Sequence, residues 1–413
     1  NAQADYTAAV EFAVDTQNPT VTSVEASDPV LTDADLGAAK QTFTVTFSEA
    51  MDTTVAPALS FSPAIATTLS NPSVGSWNEA GTVFTVTYDV ADGGVTEPGV
   101  AVDVTGAKDA AGNAQADYTA AVEFAVDTQN PTVTSVEASD PVLTDADLGA
   151  AKQTFTVTFS EAMDTTVAPA LSFSPAIATT LSNPSAGGWN GAGTVFTVTY
   201  DVADGGVTEA GVSVDVTGAK DAAGNAQADY TAAVEFAVDT QNPTVTSVEA
   251  SDPVLTDADL GAAKQTFTVT FSEAMDTTVA PALSFSPAIA TTLSNPSVGS
   301  WNEAGTVFTV TYDVADGGVT EPGVAVDVTG AKDAAGNAQA DYTAAVEFAV
   351  DTANPTITSV EAAGALSTSG TIDLVISEAD ADSAATVTLA IGFSETMNTA
   401  VSPTIAFSDN VLG

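Results

Sequence analysis

The chain has 413 residues, of which 54 are acidic and only 6 are basic, so its formal net charge is −48 at pH 7. A charge of this sign and size excludes nucleic acid and anionic membranes as electrostatic partners. There is no histidine and no cysteine, which removes the usual acid–base residue, most zinc sites, disulfides and thiol chemistry. Because 45% of the residues are apolar, the chain can still bury hydrophobic cores.

An internal repeat organises the sequence. The segment that begins with Asn1 returns at Asn113, Asn225 and Asn337, a spacing of 112 residues each time. A period of this length fits one whole domain per repeat. The repeat predicts a domain order of 1–15 (last strand of a preceding repeat), 16–127 (repeat one), 128–239 (repeat two), 240–351 (repeat three) and 352–413 (first part of a divergent repeat).

The copies are nearly identical, and the outermost segments match only parts of a repeat. We therefore expect the chain to be a window from a longer array. Repeats one and three have the same sequence, and repeat two differs from them at five positions: Ala186, Gly188, Gly191, Ala210 and Ser213.

Along repeat one, apolar and polar residues alternate in a series of short segments. In the segment 41–47, for example, Phe43, Val45 and Phe47 share one face and threonines share the other. Period two with one apolar face is typical of half-buried antiparallel strands. About seven such strands in about 110 residues predict an all-β fold of tandem immunoglobulin-like antiparallel β-sandwiches. Six of these segments are identified by position: 20–26, 41–47, 59–61, 82–88, 100–104 and 121–126.

Two side-chain placements follow from the alternation. In the last segment, Val122, Phe124 and Val126 are expected to point inward. Trp77 directly precedes a strand, and we interpret it as a core or sheet-edge residue rather than a ligand-binding aromatic.

The loops carry the chemistry that the sequence suggests. In an immunoglobulin-like sandwich, the incoming linker and the B–C and F–G loops meet at one end. In repeat one these segments contain Asp15, Glu49, and Asp109 with Asn113, and Asp52 is a further candidate. Carboxylate, amide and loop carbonyl oxygens are the ligands that Ca²⁺ takes. The sequence therefore predicts a calcium site at the joint where each repeat begins.

Other interpretations of the acidic loops stay open. Asp33, Asp35 and Asp92 lie in loops at the opposite end of the repeat, where they either add ligands from the preceding domain or form a second site. Asp and Asn also stabilise turns without any metal, and an acidic surface increases solubility.

The combination Asp-Thr-x-Asn-Pro-Thr, Val-Thr-Phe-Ser-Glu-Ala-Met-Asp and Asp-Ala-Ala-Gly-Asn resembles the bacterial immunoglobulin-like extender repeats of giant RTX and LapA-like biofilm adhesins. The likeness covers the three full repeats and the partial fourth. It implies a secreted or cell-surface stalk that calcium stiffens at the joints. The RTX β-roll nonapeptide Gly-Gly-x-Gly-x-Asp is absent. Carried onto this chain, the resemblance implies these calcium ligands: Asp15, Glu49, Asp109 and Asn113; Asp127, Glu161, Asp221 and Asn225; Asp239, Glu273, Asp333 and Asn337; and Asp351 and Glu395.

We expect a structural protein and not an enzyme. The main hypothesis is an adhesin extender whose partners are the neighbouring repeats of the same chain, with no nucleic acid and no direct membrane contact. The alternative is a subunit of an extracellular filament or S-layer-like assembly, in which like chains dock with one another. Paired carboxylates also serve glycoside hydrolysis, but nothing in the sequence marks a pocket.

Overall fold

The computed structural model describes residues 12–363 and 388–406. It divides into two compact units, Asn1–Gln241 and Asn242–Gly413. The predicted all-β fold class is confirmed, because the regular elements of the described residues are strands and three short 3-10 turns. None of these residues lies in a helix that is long and apolar enough to cross a membrane. The expectations for 1–11, 364–387 and 407–413 lie outside the described residues.

Repeat one contains nine strands and one 3-10 turn, Asp33–Asp35. Several strands have only two residues, which is why the sequence predicted fewer. The strands are β1 (Val21–Ala26), β2 (Val30–Leu31), β3 (Gly37–Phe47), β4 (Ala58–Ser62), β5 (Leu69–Ser70), β6 (Ser76–Trp77), β7 (Val83–Val90), β8 (Thr96–Thr105) and β9 (Tyr118–Asp127).

Repeats two and three have the same elements, with 3-10 turns at Asp145–Asp147 and Asp257–Asp259. The strands of repeat two are β10 (Val133–Ala138), β11 (Val142–Leu143), β12 (Gly149–Phe159), β13 (Ala170–Ser174), β14 (Leu181–Ser182), β15 (Gly188–Trp189), β16 (Val195–Val202), β17 (Thr208–Thr217) and β18 (Tyr230–Asp239). Those of repeat three are β19 (Val245–Ala250), β20 (Val254–Thr256), β21 (Gly261–Phe271), β22 (Ala282–Ser286), β23 (Leu293–Ser294), β24 (Ser300–Trp301), β25 (Val307–Val314), β26 (Thr320–Thr329) and β27 (Tyr342–Asp351).

Each full repeat is built from two sheets. In repeat one, a five-stranded sheet has the order β1-β3-β7-β5, with β6 also pairing with β7, and a four-stranded sheet has the order β2-β9-β8-β4. The short strand β2 runs parallel to β9, while the other pairs are antiparallel. The two sheets enclose one hydrophobic core.

The divergent repeat begins in the same way as the others. Its strands β28 (Ile357–Ala363) and β29 (Thr388–Phe393) pair antiparallel, with a register shift between Ile357 and Ser359. Repeat one has the equivalent shift between Val21 and Ser23 in the β1–β3 pair.

The core of each repeat centres on aromatic side chains from both sheets. Phe43 is fully buried, and its ring centroid lies 5.4 Å from those of Phe61 and Phe124 and 5.7 Å from that of Tyr88. Truncating such a side chain to alanine typically costs about 3–5 kcal/mol. The core therefore supplies a stability to each repeat that does not depend on the joints.

Trp77 extends this core to the sheet edge, as the sequence predicted. It lies on β6, and its ring centroid is 5.4 Å from that of Phe47 and 5.1 Å from that of Phe84. Gly75 adopts a φ of +70°, and a Cβ at this position would lie 2.1 Å from the Phe84 ring. Glycine is therefore required where the chain approaches the ring.

The prediction that Val122 points inward is wrong. Its side chain is 64% exposed, whereas Phe124 and Val126 are buried as predicted. The register of the β8–β9 pair shifts between Glu97 and Asp103, and such irregularities move later side chains to the other face.

Candidate metal centres

Three carboxylates meet where repeat one begins. Asp15 from the linker, Glu49 from the loop after β3, and Asp109 from the β8–β9 loop each place one carboxylate oxygen within 4.8 Å of the others. We call these residues the first acidic group. The two loops are held together because the backbone N–H of Asp52 donates to the carbonyl oxygen of Lys108 at 2.8 Å. The structure thus brings together the carboxylates that the sequence predicted.

The loop that carries Asp109 is closed by its own hydrogen bonds. The backbone N–H of Asn113 donates to Oδ1 of Asp109 at 2.8 Å, and the Asn113 amide nitrogen donates to Oδ2 at 2.7 Å. Burial alone would raise the pKa of Asp109, but hydrogen bonds from Asn113, Gly112 and Ala111 lower it on balance. Asp109 is therefore ionised at neutral pH. Gly112 has a φ of +96°, which explains glycine in this turn.

The same arrangement recurs at the joint between repeats one and two, which lies inside the first compact unit. Carboxylate oxygens of Asp127, Glu161 and Asp221 lie within 4.8 Å of one another. We call these residues the second acidic group. Asp221 is 1% exposed, while Asp127 and Glu161 are half-buried.

Repeat one contributes an acidic residue to this joint. Asp33 lies in the 3-10 turn after β2, and its backbone N–H donates to Oδ1 of Asn225 in repeat two at 2.9 Å. Its Oδ2 accepts a hydrogen bond from the side chain of Asn130 at 3.0 Å, and its Oδ1 is buried without a hydrogen-bond partner. Asp33 therefore lies beside the acidic group of the next repeat, and its role as a ligand there stays a prediction.

The other acidic candidates have different positions. Asp35 caps its own turn, because its Oδ2 accepts hydrogen bonds from the backbone and side chain of Thr32 at 2.9 and 3.0 Å. Oδ1 of Asp52 accepts from the backbone and side chain of Thr54 at 3.0 and 2.7 Å. These bonds lower the pKa of Asp52. Asp35 and Asp52 therefore stabilise their own turns, and a part for either in calcium binding stays a prediction.

The side chain of Asn225 is fully buried at the centre of the joint. Its amide nitrogen donates to the carbonyl oxygen of Asp127 at 2.9 Å and to Oδ2 of Asp221 at 2.8 Å, while its oxygen accepts from Asp33. All its polar atoms thus contact protein groups. In this arrangement Asn225 orients the carboxylates, and its predicted role as a ligand stays a prediction.

A contact residue that the sequence analysis missed is Asn130. Its side-chain nitrogen bonds to Asp33 and also donates to the carbonyl oxygen of Ala226 at 2.9 Å. The equivalent Asn18 donates to Ala114 at 2.9 Å. The available signal was the Asn-Pro dipeptide that recurs in every linker.

The negative charges of the joint oppose one another. Burial raises the pKa of Glu161, and the charges of Asp127 and Asp221 raise it further. Burial also raises the pKa of Asp33, and this effect is opposed by the hydrogen bond from Asn130 and increased by the charges of Asp92, Asp221 and Asp127. A bound cation would relieve this repulsion.

The donor set fits a hard cation. It consists of carboxylate oxygens, and Oδ1 of Asp33 is buried without a hydrogen-bond partner. Ca²⁺ takes six to eight oxygens at about 2.3–2.6 Å in flexible geometry. Asp127, Glu161, Asp221 and Asp33 are the side chains that would hold the ion.

Two further predicted groups follow in the chain. Asp239 belongs to the first compact unit, while Glu273, Asp333 and Asn337 belong to the second, so calcium binding by this set stays a prediction. Within the second unit, the Asn337 amide donates to Oδ2 of Asp333 at 2.9 Å, as in the equivalent loops of repeats one and two.

At the last joint, Asp351 and Glu395 line one cleft of about 360 Å³. Asp257, the equivalent of Asp33, and Asn354, the equivalent of Asn130, line the same cleft. The preceding repeat therefore contributes an acidic residue here too.

No protein-family model matches the chain, and no curated protein matches it. Among solved structures, it aligns with the S-layer protein rSbsC(31-844) at 14% identity, over 95% of this chain and 67% of that one, with a TM-score of 0.21. The N-terminal part of the bacterial S-layer protein SbsC aligns at 19% identity over 54% of this chain and 44% of that one, with a TM-score of 0.20. Domains 1–6 of SbsC align at 14% identity over 85% and 62%, with a TM-score of 0.18. Similarity at this level does not establish a shared fold.

Proposed function

We propose that this chain is a structural spacer outside the bacterial cell, in which Ca²⁺ at the joints fixes each β-sandwich to the next. One observation carries the proposal: Asp33 of repeat one reaches the acidic group at the start of repeat two, where its backbone N–H bonds to Asn225. A cation bound there would draw ligands from both repeats. Its binding energy would then stabilise one relative orientation of the two domains.

The repeated sequence also suits a spacer. Repeats one and three are identical, so these two copies are not specialised for different ligands. The aromatic side chains of each repeat pack into the core, instead of forming an exposed aromatic face for a glycan. Catalysis is not part of the proposal, because the acidic groups have a more direct use in cation binding.

Two arrangements of such a spacer remain distinct candidates. In the first, a single chain acts as the extender of a large adhesin. In the second, many chains dock into a filament or an S-layer-like assembly. Both would use the same joints, and the net charge of −48 would keep chains apart until cations reduce their repulsion.

Thermal unfolding of the full chain, with calcium and with excess EGTA, tests the calcium proposal. At a calcium concentration about 100-fold above Kd, each occupied site adds about 2.7 kcal/mol to the stability of the folded state. The transition is therefore expected to move to higher temperature in calcium. Equal melting temperatures in calcium and EGTA would remove calcium from the account.

A variant of the second acidic group distinguishes calcium binding at this joint from general effects of ions on stability. Substitution of Asp127→Asn together with Glu161→Gln removes two charges of the second acidic group and leaves the first intact. The calcium-dependent shift should become smaller, and the number of bound ions in a calorimetric titration should fall.

Small-angle scattering and sedimentation distinguish the two arrangements. A single-chain stalk is extended in calcium at every protein concentration and sediments as a monomer. Long assemblies that grow with protein concentration would favour the filament or layer. A compact monomer in calcium would contradict both.

A further inference from the structure

One of the five substitutions in repeat two changes the chemistry of a turn. Repeat two contains Asn190-Gly191, where repeats one and three contain Asn78-Glu79 and Asn302-Glu303. It is the only Asn-Gly dipeptide in the chain. Asn190 and Gly191 are both exposed, in the loop between β15 and β16.

The turn holds the Asn190 side chain in a defined position. Its Oδ1 accepts hydrogen bonds from the backbone N–H groups of Thr194 at 2.9 Å and Val195 at 3.3 Å. Its amide nitrogen donates to Oγ1 of Thr194 at 3.2 Å. The backbone of Asn190 is fixed as well, because its N–H donates to Val195 at 2.9 Å and its carbonyl accepts from Gly193 at 3.1 Å.

We propose that Asn190 is a site of spontaneous deamidation. The backbone nitrogen of Gly191 attacks Cγ of Asn190 and loses its proton to a solvent base. The new C–N bond closes a succinimide ring, and the side-chain nitrogen leaves as ammonia after taking up a proton. Water then opens the ring at either carbonyl and leaves aspartate or isoaspartate.

The hydrogen bonds of the turn favour the first step. As Cγ becomes tetrahedral, negative charge develops on Oδ1, which already accepts from two backbone N–H groups. Donors that are aimed at a developing oxyanion lower the barrier of acyl transfer. The leaving nitrogen lies beside the Thr194 hydroxyl, and the Gly191 N–H makes no hydrogen bond within this turn.

Repeat one supplies a matched turn with a different following residue. Oδ1 of Asn78 accepts from the backbone of Thr82 at 2.8 Å and of Val83 at 3.2 Å, and its nitrogen donates to Oγ1 of Thr82 at 3.2 Å. The geometry around the asparagine is therefore the same. The side chain of Glu79 crowds the attacking nitrogen and places a negative charge beside it, whereas Gly191 does neither.

Deamidation of Asn190 would also affect a neighbouring loop, because the turn is hydrogen-bonded to both ends of that loop. The carbonyl oxygen of Gly193 accepts from the backbone N–H of Met163 at 3.0 Å, and that of Thr194 accepts from Phe159 at 2.9 Å. These contacts bracket the loop that carries Glu161. Isoaspartate lengthens the backbone by one carbon and would displace them. If the calcium proposal holds, an aged chain would lose calcium affinity at the joint between repeats one and two.

The test is timed incubation of the full chain in mildly alkaline buffer, followed by peptide mapping with mass spectrometry. Deamidation replaces an NH₂ group by OH, and isoaspartate is identified by its separate elution and fragmentation. Peptides from repeats one and three have the same sequence at this turn and serve together as the internal reference. We expect Asn190 to react at least about tenfold faster than the reference, a barrier lower by about 1.4 kcal/mol.

Two exchanges between repeats complete the design. Gly191→Glu should reduce the rate at Asn190 to the reference rate, and Glu79→Gly should raise the rate at Asn78 to that of Asn190. Both variants create turns that already exist elsewhere in the chain. Equal rates at Asn190 and in the reference peptides, or a rate unaffected by Gly191→Glu, would overturn the proposal. The mass shift is measured without calcium, so failure of the calcium proposal leaves this test intact.

Discussion

The two acidic groups of the first compact unit have equivalent sequences but different surroundings. In the first group Asp15 is exposed and Asn113 is half-buried, whereas in the second Asp127 is half-buried and Asn225 is fully buried. The amide of Asn113 lies 3.3 Å from the carbonyl oxygen of Asp15, and that of Asn225 lies 2.9 Å from the carbonyl oxygen of Asp127. The second group therefore has the tighter geometry.

The difference comes from the neighbouring repeat. Asp33 bonds to Asn225 through its backbone and to Asn130 through its side chain. Of the segment before repeat one, only residues 12–15 are described, and they include no 3-10 turn equivalent to Asp33–Asp35. At the joint between repeats one and two, the turn that carries Asp33 therefore adds contacts to the loop and linker at the start of repeat two.

The largest effect is expected from Asp221→Ala. Oδ1 and Oδ2 of Asp221 accept hydrogen bonds from the backbone and side chain of Asn225 at 2.9 and 2.8 Å, and hydrogen bonds to charged groups contribute about 1.5–3 kcal/mol each. Repeat two should lose about 3 kcal/mol of unfolding free energy in calcium. Amide exchange measures this loss in peptides that contain Ala186 or Ser213, which identify repeat two.

The equivalent Asp109→Ala is the control. It should destabilise repeat one and leave exchange in repeat two unchanged. Protection in repeat two that falls equally in both variants would contradict the comparison between the two joints.

Asp33→Ala should have the next largest effect. It removes one of the two carboxylates that repeat one places at this joint and leaves the other, Asp127, and every residue of repeat two in place. Calcium affinity at the second group should fall about tenfold, or about 1.4 kcal/mol, without a change at the first group. Calorimetric titration of the full chain measures both classes of site. The surface substitution Asp117→Ala is the control, and an unchanged affinity in Asp33→Ala would show that Asp33 does not contribute to calcium binding at the second group.

Asn225→Ala removes three side-chain hydrogen bonds, with Asp33, Asp127 and Asp221, each worth about 1 kcal/mol, and its distinctive effect is on the orientation of the joint. Asn225 makes contacts across the joint, whereas Asn113 bonds within its own repeat and linker. Asn225→Ala should therefore broaden the distribution of distances between spin labels on repeats one and two, while Asn113→Ala should not. Equal broadening in the Asn225→Ala and Asn113→Ala variants would show that Asn225 does not restrain the orientation of the two repeats.

The smallest effect is expected away from both joints. Burial raises the pKa of Glu235 above its ordinary value of 4.5, and a hydrogen bond from Tyr230 partly opposes the shift. As pH rises, the Glu235 carboxyl loses its proton at a lower pH in the unfolded chain than in the folded chain. The free energy of unfolding should therefore fall between these two pKa values and stay lower at neutral pH. Glu235→Gln should raise the melting temperature at neutral pH and leave it unchanged at acidic pH. A gain of equal size at both would contradict the assignment.

The sequence was sufficient wherever local patterns determine structure. Alternation placed Phe43, Val45 and Phe47 in the core, and loop order alone brought Asp15, Glu49 and Asp109 to one place. These predictions depend on features that every sandwich of this type shares.

The sequence was insufficient where contacts between residues far apart in the chain determine the structure. The inward prediction for Val122 failed because the β8–β9 register shifts, which alternation does not reveal. The position of Asp33 depends on how one repeat meets the next. The role of Asp35 had a local signal, since Thr32 and Asp35 form a capping box of recognisable spacing.

The hydrogen bond from Asp33 to Asn225 spans 192 residues of sequence, and its donor and acceptor lie at opposite ends of their repeats. An array of such units is polar, because each repeat presents a donor at one end and an acceptor at the other. If recombination added or removed a whole 112-residue copy, each remaining turn of the Asp33 type would still face an asparagine of the Asn225 type. The length of the array can therefore evolve through the number of copies, while the sequence of each repeat stays constant.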